Sequence, residues 1–365
     1  MKLSALLLFL FFISSSLDAK NKIYIPEIDS ITSVNHIDII DLIDSLYFST
    51  LDYKNPIKQK SGYIFSSDSI PIYDDKVYME RMHALNVVSP FDLQFNEDVK
   101  NYILYFTKRQ SSMISRVLAM QSLYFPIFEE LLDKYQLPQE LKYLAIVESS
   151  LNTNATSRAG AVGLWQFMPG TGQDYGLTCN SKLDDRRNVW AATDAACRHF
   201  VNLYNVYHDW NLVLAAYNSG AGNVNKAIKR ADSITDYWTI RQYLPGETRN
   251  YVPIFIAINY MMNYSMEHNI PKAYFAIDNF NSLDTLYINE KYTFQEISDL
   301  IDIPVSKLEL MNPQYRKDVI PASESNKFML TLPVDKISEF LKYKKEVVSS
   351  LTSKEFETAK LVDSK

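Results

Sequence analysis

The chain has 365 residues, of which 47% are hydrophobic and 13% aromatic, with 25 tyrosines among them. This length and composition are sufficient for two or three folded domains and exclude an intrinsically disordered chain. The net charge of −6 provides no basic surface for nucleic acid, so we expect no nucleic-acid partner.

Residues that bind metal ions are scarce. The two cysteines cannot form a thiolate zinc site without other ligands. The histidines show no metal-ligand spacing; they are His36, His83, His199, His208 and His268. We therefore expect surface or packed histidines, no metal site and no cofactor.

The N-terminus has the pattern of a secretory signal peptide, which we assign to residues 1–19. Lys2 precedes an apolar run from Leu3 to Ile13, and small residues follow up to Ala19. The run is short for a permanent membrane anchor, and no cysteine follows it, so the sequence does not predict a lipoprotein. We expect an exported protein of the periplasm or cell envelope.

Helical spacing dominates the middle of the chain, for example in residues 99–106. The preceding region, residues 20–88, has weak periodicity and predicts an irregular or short helical lead-in. Pro126 and Pro138 fit helix starts, where a missing N–H costs nothing. No alternating strand pattern competes, so the sequence predicts a mainly α fold with an all-helical domain over residues 89–270.

The composition changes after Pro271. TLYINEKYTF and NKFMLTLP predict strands, whereas FQEISDLIDI and VSKLELMNP predict two short helices. The order strand, helix, helix, strand predicts a small α+β module over residues 284–334. A charged tail, residues 335–365, follows it.

Glu148 occupies an unusual position in the segment ELKYLAIVESSLN. Leu141, Leu144, Ala145 and Leu151 have the spacing of one buried helical stripe, and Glu148 lies on that stripe. A lone ionised carboxylate is costly at such a position. Two interpretations remain open. The carboxylate is either structural, paired with an arginine or capping a helix, or it is an acid whose raised pKa lets it donate a proton near neutrality.

The segment SRAGAVGLWQFMPGTG follows Glu148 and combines glycines with apolar residues. Its glycines permit close approach of the backbone, and Gln166 lies beside Trp165, Phe167 and Met168. Aromatic and thioether surface with a few polar groups is typical of sugar-binding sites. A glycine-punctuated turn into a helix explains the same segment without any ligand.

The segment WNLVLAAYNSGAGNV predicts a helix that ends near Gly220. Tyr217 and Asn218 precede this end. A tyrosine on an apolar stripe usually packs in the core, but a Tyr–Asn pair at a helix end can equally present two polar groups to a cleft.

In their order along the chain, these motifs resemble those of the family 1 lytic transglycosylases, which have a goose-lysozyme-like fold. The motifs are ES, S-x-x-GA-x-GLWQFMP, AAYNSG and ETRNYV, and the resemblance covers about half the chain, from Ser89 to Glu267. Each motif alone is a weak signal, but their order and helical contexts make the set specific. VVSPFDLQFNEDV, YFPIFEELL and LPQELKYLAIVESSL look like the membrane-bound lytic murein transglycosylase D subgroup.

The resemblance implies a role for each matching residue. Glu148 matches the single catalytic acid/base, and Ser157 matches the hydroxyl that holds substrate and acid in register. The implied substrate-binding residues are Gln166 and Met168 near the N-acetyl groups, Tyr217 and Asn218 at the scissile site, and Glu247 and Tyr251 in the ETR-x-YV segment.

The implied reaction cleaves the β-1,4 bond between MurNAc and GlcNAc in peptidoglycan without water. Most glycosidases need two carboxylates, but here the muramic C6 hydroxyl supplies the second nucleophile. Glu148 would protonate the glycosidic oxygen and then remove the C6 proton, giving 1,6-anhydroMurNAc ends. The alternatives are a goose-type lysozyme hydrolase and a non-catalytic peptidoglycan-binding protein.

The C-terminal module resembles a LysM glycan-binding domain through IPVSKLELMNPQY and FMLTLP. It departs from that pattern at EKYTF, where Gly-Asp-Thr is usual. The resemblances imply peptidoglycan glycan strands as the partner and a peripheral association with membrane or cell wall. We expect a monomer.

Cys179 and Cys197 are the only cysteines of the chain. Because the leader predicts export to an oxidising compartment, we predict a disulfide between them. The alternative is two free thiols that pack as small hydrophobic side chains.

Overall fold

The structure is a computed structural model that describes residues 69–273, 283–323 and 325–343. The predicted signal peptide, most of the lead-in and the end of the charged tail lie outside these residues. Within them, a helical unit is followed by a small module that contains strands. The predicted fold class is therefore confirmed.

The helical unit is built from short and medium-length helices joined by tight turns. They are α1 (Asp75–Val88), α2 (Glu97–Lys108), α3 (Ser111–Lys134), α4 (Leu144–Ser149), α5 (Pro169–Asp174), α6 (Val189–Tyr207), α7 (Trp210–Ser219), α8 (Ala221–Arg230), α9 (Tyr237–Ile240) and α10 (Gly246–Tyr264). Polar side chains cap several first turns. Asn96 accepts a hydrogen bond from the Val99 amide at the start of α2, and Asn188 accepts one from the Ala191 amide at the start of α6.

Helix α10 lies at the centre of the helical unit. Every residue from 251 to 261 is buried, and the helix packs against α2, α4 and α7. A helix that is hydrophobic all round requires neighbours on all sides. This central position brings Tyr251 beside α4, the helix that carries Glu148.

Two features of the helical unit differ from the sequence prediction. The end of the lead-in forms α1, whose Tyr78 and Met82 are 0% and 1% exposed within the same core, so the folded domain begins before residue 89. Pro126 lies inside α3 and not at a helix start. The extensive burial of α3 offsets the one backbone hydrogen bond that the proline removes. Pro138, in contrast, does precede a helical turn, the 3-10 segment Gln139–Tyr143.

The C-terminal module has the predicted strand, helix, helix, strand order, to which the structure adds two short strands, the second and the third along the chain. Its elements are β1 (Leu283–Ile288), β2 (Tyr292–Thr293), α11 (Phe294–Ile301), α12 (Val305–Met311), β3 (Val319–Ile320) and β4 (Phe328–Pro333). Strand β1 pairs antiparallel with β4, from Leu283 opposite Pro333 to Ile288 opposite Phe328, and β2 pairs antiparallel with β3. Residues 334–343 are helical, and Phe340 is 1% exposed in the core of the module.

Part of the predicted charged tail thus belongs to the folded module. Across the three ranges that the structure describes, no helix combines the length and the apolar character needed to cross a membrane.

Candidate active site

Glu148 lies at the end of a short helix, because α4 stops one residue later. Ser150 and Leu151 adopt left-handed backbone conformations with φ of 50° and 61°. The predicted stripe is therefore not one continuous helix, although Leu141, in the preceding 3-10 turn, and Leu151 are both fully buried. The break leaves Glu148 partly buried, with its neighbours on the helix in the core.

The environment of Glu148 favours the protonated carboxyl group. Burial raises its pKa to about 7; a hydrogen bond from the Tyr251 hydroxyl to Oε1 opposes this shift in part, and the nearby charge of Glu247 adds to it. A carboxyl group with a pKa near neutrality can donate a proton and later accept one at the same pH. These properties match the catalytic interpretation of Glu148, and among the described residues its side chain pairs with Tyr251 and not with an arginine.

Tyr217, from the AYNSG motif, lies close enough to Glu148 for the charge of the carboxylate to affect it. Its hydroxyl donates a hydrogen bond of 2.8 Å to the Trp165 carbonyl oxygen. Burial and the nearby Glu148 charge raise the pKa of Tyr217 well above its usual value, so the phenol stays neutral and can act as a hydrogen-bond donor. Helix α7 ends after this residue at Gly220, with φ of 82°, as the sequence predicted.

The end of α7 and the first turns of α10 carry the remaining residues of the AYNSG and ETR-x-YV motifs. Asn218 Oδ1 accepts a hydrogen bond of 2.8 Å from the Thr248 hydroxyl. Tyr251 is 5% exposed, whereas Glu247 is exposed and reaches Glu148 only through its charge. The structure thus brings Glu148, Tyr217, Glu247 and Tyr251 together.

Ser157 closes a turn at the start of the loop 155–168, which we call the substrate loop. Its Oγ accepts a hydrogen bond of 3.0 Å from the Ala161 amide, and its own amide donates one of 2.9 Å to the Ala161 carbonyl. Gln166 has a left-handed backbone, φ 47°, and its Nε2 donates to the Gly163 carbonyl at 2.9 Å. The Ser157 hydroxyl proton and the side-chain amide oxygen of Gln166 keep the capacity to bind a substrate.

The apolar side chains of the substrate loop do not all form a sugar-binding surface. Trp165 and Phe167 are 0% and 3% exposed, and only Met168, at 42%, is exposed. Trp165 packs against Phe128 and Phe200. The expectation of an aromatic sugar platform is therefore wrong for Trp165 and Phe167, because the left-handed turns of the loop direct their rings into the core.

Two residues that sequence analysis did not single out hold the substrate loop in place. Ser149 Oγ donates to the Leu164 carbonyl at 3.1 Å, which ties the loop to α4 beside Glu148. Arg186 Nη1 donates to the Gly160 carbonyl at 2.9 Å. The serine of the ES motif was a visible signal. The arginine was not, because nothing in the run DDRRN indicates which charged residue becomes buried.

The predicted disulfide is contradicted by the structure, in which both cysteines are free. Cys197 is fully buried on the core side of α6, and burial raises the pKa of its thiol to about 12. Cys179 lies in the loop after α5, where its Sγ accepts a hydrogen bond of 3.3 Å from Arg186 Nη2. Cys197 therefore packs as a small hydrophobic side chain, and Cys179 pairs with an arginine.

Two protein families match parts of this chain. Residues 125–238 match the family described as the transglycosylase SLT domain, and residues 282–348 match the lytic transglycosylase MltD, LysM-like domain. The SLT match confirms the resemblance inferred from the motifs and contains Glu148 together with Ser157, Gln166, Met168, Tyr217 and Asn218. Glu247 and Tyr251 lie beyond its end.

Individual relatives are similar to parts of the chain. It is 37% identical over 195 residues to the membrane-bound lytic murein transglycosylase D of Escherichia coli (strain K12), a match that covers 52% of this chain and 42% of the relative. It is 32% identical over 126 residues to a putative tributyltin chloride resistance protein of Alteromonas sp. (strain M-1), covering 34% of this chain and 59% of that protein. The chain thus spans less than half the length of the Escherichia coli relative.

Among solved structures, the 70-kDa soluble lytic transglycosylase of Escherichia coli is 20% identical, with a TM-score of 0.36. That alignment covers 50% of this chain and 33% of the soluble enzyme.

Proposed function

We propose that this chain, which contains a transglycosylase SLT domain, is a peptidoglycan lytic transglycosylase with Glu148 as its single general acid/base. The observation that carries the proposal is the partly buried Glu148 carboxyl group, whose pKa is raised to about 7 and which Tyr251 contacts. The substrate is the β-1,4 bond between MurNAc and GlcNAc. The products are a free GlcNAc 4-hydroxyl group and a 1,6-anhydroMurNAc end.

In the first step, protonated Glu148 donates its proton to the glycosidic oxygen, and the bond from that oxygen to muramic C1 breaks. Burial supplies the proton donor, because the raised pKa keeps a large fraction of the carboxyl group protonated near neutral pH. Positive charge develops on the sugar ring while Glu148 becomes an anion. The Tyr251 hydroxyl, already bonded to Oε1, stabilises that anion.

In the second step, the Glu148 carboxylate removes the proton of the muramic C6 hydroxyl, whose oxygen attacks C1. The bond from C6 oxygen to C1 closes the anhydro ring, and Glu148 regains its proton for the next cycle. This sequence needs one carboxylate because the substrate provides the nucleophile. The exposed Glu247 affects the pKa of Glu148 and has no part in either proton transfer.

The substrate loop and the end of α7 supply groups for binding. Ser157 and Gln166 offer a hydroxyl proton and an amide oxygen for the sugar, and the exposed Met168 offers a thioether surface for an acetamido methyl group. Tyr217 and Asn218 bind near the scissile bond. Their own hydrogen bonds to the Trp165 carbonyl and the Thr248 hydroxyl fix their orientation before substrate enters.

The LysM-like module and the N-terminal leader define where the enzyme acts. We assign the module to binding of glycan strands and the protein to the cell envelope, as a monomer. In keeping with this location, the Escherichia coli relative is named a membrane-bound enzyme. Pull-down on insoluble sacculi tests the binding role: the full chain should sediment with them, and a chain that stays in solution would contradict it.

Mass spectrometry of digested peptidoglycan tests the reaction. We expect anhydro ends, which are lighter by one water than the reducing ends that hydrolysis leaves. Glu148→Gln keeps the shape of the side chain and removes the acid, so it should release no product. Reducing ends would instead identify a goose-type hydrolase. No product from the wild-type chain would identify a non-catalytic binding protein.

A further inference from the structure

A loop of the SLT domain reaches into the C-terminal module. The loop is formed by residues 178–188, between α5 and α6. Leu183, at its tip, is 8% exposed and packs in the hydrophobic core of the module. Backbone hydrogen bonds of 2.9 and 3.0 Å run from the Asp184 amide to the Gln314 carbonyl and from the Arg316 amide to the Lys182 carbonyl. The module therefore holds this loop in the manner of a short strand pair.

Asp184 is the charged centre of the contact. Its side chain is completely buried, and its two oxygens accept hydrogen bonds of 2.9 Å from Arg186 Nε and Nη2 and from Nη2 of Arg316, which belongs to the module. Burial alone would raise the pKa of Asp184, but the hydrogen bonds of these two arginines and the charge of the nearby Arg187 outweigh it and hold the pKa below its usual value. Without Arg316 the buried carboxylate keeps Arg186 but loses one hydrogen bond to Oδ2 and one of the positive charges that lower its pKa.

Arg186 connects this centre to the substrate loop. Its guanidinium group donates to the carbonyl oxygens of Gly160 and Phe167 at 2.9 and 3.3 Å, near the middle and near the end of the loop. The backbone of the loop also touches Arg186, since a Cβ on Gly163 would lie 1.9 Å from the Arg186 carbonyl oxygen. Ser157, Gln166 and Met168 lie on the segment that Arg186 supports.

We propose that Arg316 of the C-terminal module is a positioning residue for the substrate loop, acting through Asp184 and Arg186. The module then has a second role beside glycan binding: it completes the support of the loop that binds the sugar. This inference rests on the proposed function, because it assumes that the substrate loop binds peptidoglycan. It implies that a change in the module alters the handling of a glycan too short to touch the module.

Steady-state kinetics of the full chain on a soluble glycan of two disaccharide repeats tests the proposal. Arg316→Ala should raise KM about fivefold with a smaller change in kcat, the size expected for residues that share one network. Arg316→Lys should show a smaller increase in KM, because lysine restores the positive charge but not the planar guanidinium group with its several donors. Lys317→Ala, which removes the neighbouring exposed charge, is the matched control and should equal wild type.

Hydrogen exchange supplies a second measurement. The amides of Ala161 and Val162 are bonded within the substrate loop, so they should exchange faster in Arg316→Ala than in Lys317→Ala. Unchanged KM and unchanged exchange in Arg316→Ala would overturn the proposal while leaving the proposed function intact. If the wild-type chain releases no anhydro product, the proposed function itself fails, and the exchange result then decides whether the module still orders the loop.

Discussion

Tyr251 donates a hydrogen bond to Glu148 across 103 residues of sequence. The two residues meet because Glu148 lies one residue before the end of the short helix α4, while Tyr251 begins the buried stretch 251–261 of the central helix α10. Burial raises the pKa of the carboxyl group and this bond lowers it in part, and the result is a pKa of about 7. Tyr251 is therefore the residue through which the core of the domain sets the proton affinity of the site.

Tyr251→Phe should lower kcat and shift the alkaline limb of the pH–rate profile to higher pH. Without the phenol donor the Glu148 anion is less stable, so its pKa rises further. The expected loss in kcat is about tenfold to a hundredfold, the rate equivalent of one hydrogen bond to a charged group. Tyr217→Phe, which removes the bond to the Trp165 carbonyl instead, should leave the alkaline limb nearly unchanged. Equal shifts in both variants would contradict this assignment.

The wild-type rate should depend on pH through Glu148. Its pKa is raised to about 7, and bond cleavage requires the protonated form. The value of kcat/KM should therefore fall as pH rises through about 7. Initial rates of anhydro-product release across the pH range measure this limb. A profile that stays flat to pH 9 would exclude Glu148 as the proton donor.

Glu148→Gln should abolish product release and stabilise the folded protein at alkaline pH. Folded Glu148 keeps its proton up to about pH 7, whereas the unfolded chain loses it near 4.5. The folded state binds more protons in this window, so the free energy of unfolding of the wild type falls as pH rises through it. At pH 8 the free energy of unfolding of the variant should exceed that of the wild type by about 2 kcal/mol, since partial solvent contact weakens the effect. At pH 4 the two should differ little. Urea unfolding at both pH values measures the difference, and an equal gain at both would contradict the linkage.

Gly163→Ala should destabilise the protein much more than Gly160→Ala. Both glycines have positive φ, 86° and 89°, so each alanine pays about 1–2 kcal/mol of backbone strain. Only at Gly163 does the added Cβ meet backbone, 1.9 Å from the Arg186 carbonyl oxygen, while the space at Gly160 is open. We expect a further loss of about 2 kcal/mol or more at Gly163. Similar free energies of unfolding for the two variants would show that the substrate loop moves away from Arg186 easily.

A chain that ends at Ala273 should be less stable than the full chain. Truncation exposes Leu183, which is buried in the module, and takes Arg316 from the buried Asp184. Loss of the Leu183 burial alone costs about 1.5–3 kcal/mol. Thermal unfolding of the truncated and full chains measures the effect. If the helical unit unfolds at the same temperature in both chains, the C-terminal module does not contribute to its stability.

Local patterns in the sequence predicted most of the helices and strands and drew attention to Glu148. Apolar spacing predicted the helical domain, and alternation predicted the strands that became β1 and β4. The ordered motifs predicted Glu148, Ser157, Gln166, Tyr217 and Asn218 as site residues, and these roles stay predictions. These signals are visible because helix and strand periods, and motifs of a few residues, are encoded by neighbours in the chain.

The tertiary structure decided the environment of those residues. The proton affinity of Glu148 depends on burial and on Tyr251. Met168 is exposed and Trp165 is buried, a difference that depends on the left-handed residues of the substrate loop and on the rings around the tryptophan. The same holds for the cysteines: Cys197 lies in the core, Cys179 contacts Arg186, and the predicted disulfide is not formed. The Arg316–Asp184–Arg186 network joins segments separated by more than a hundred residues. Burial, charge pairing and side-chain direction arise from distant segments of the chain, so no local sequence pattern specifies them.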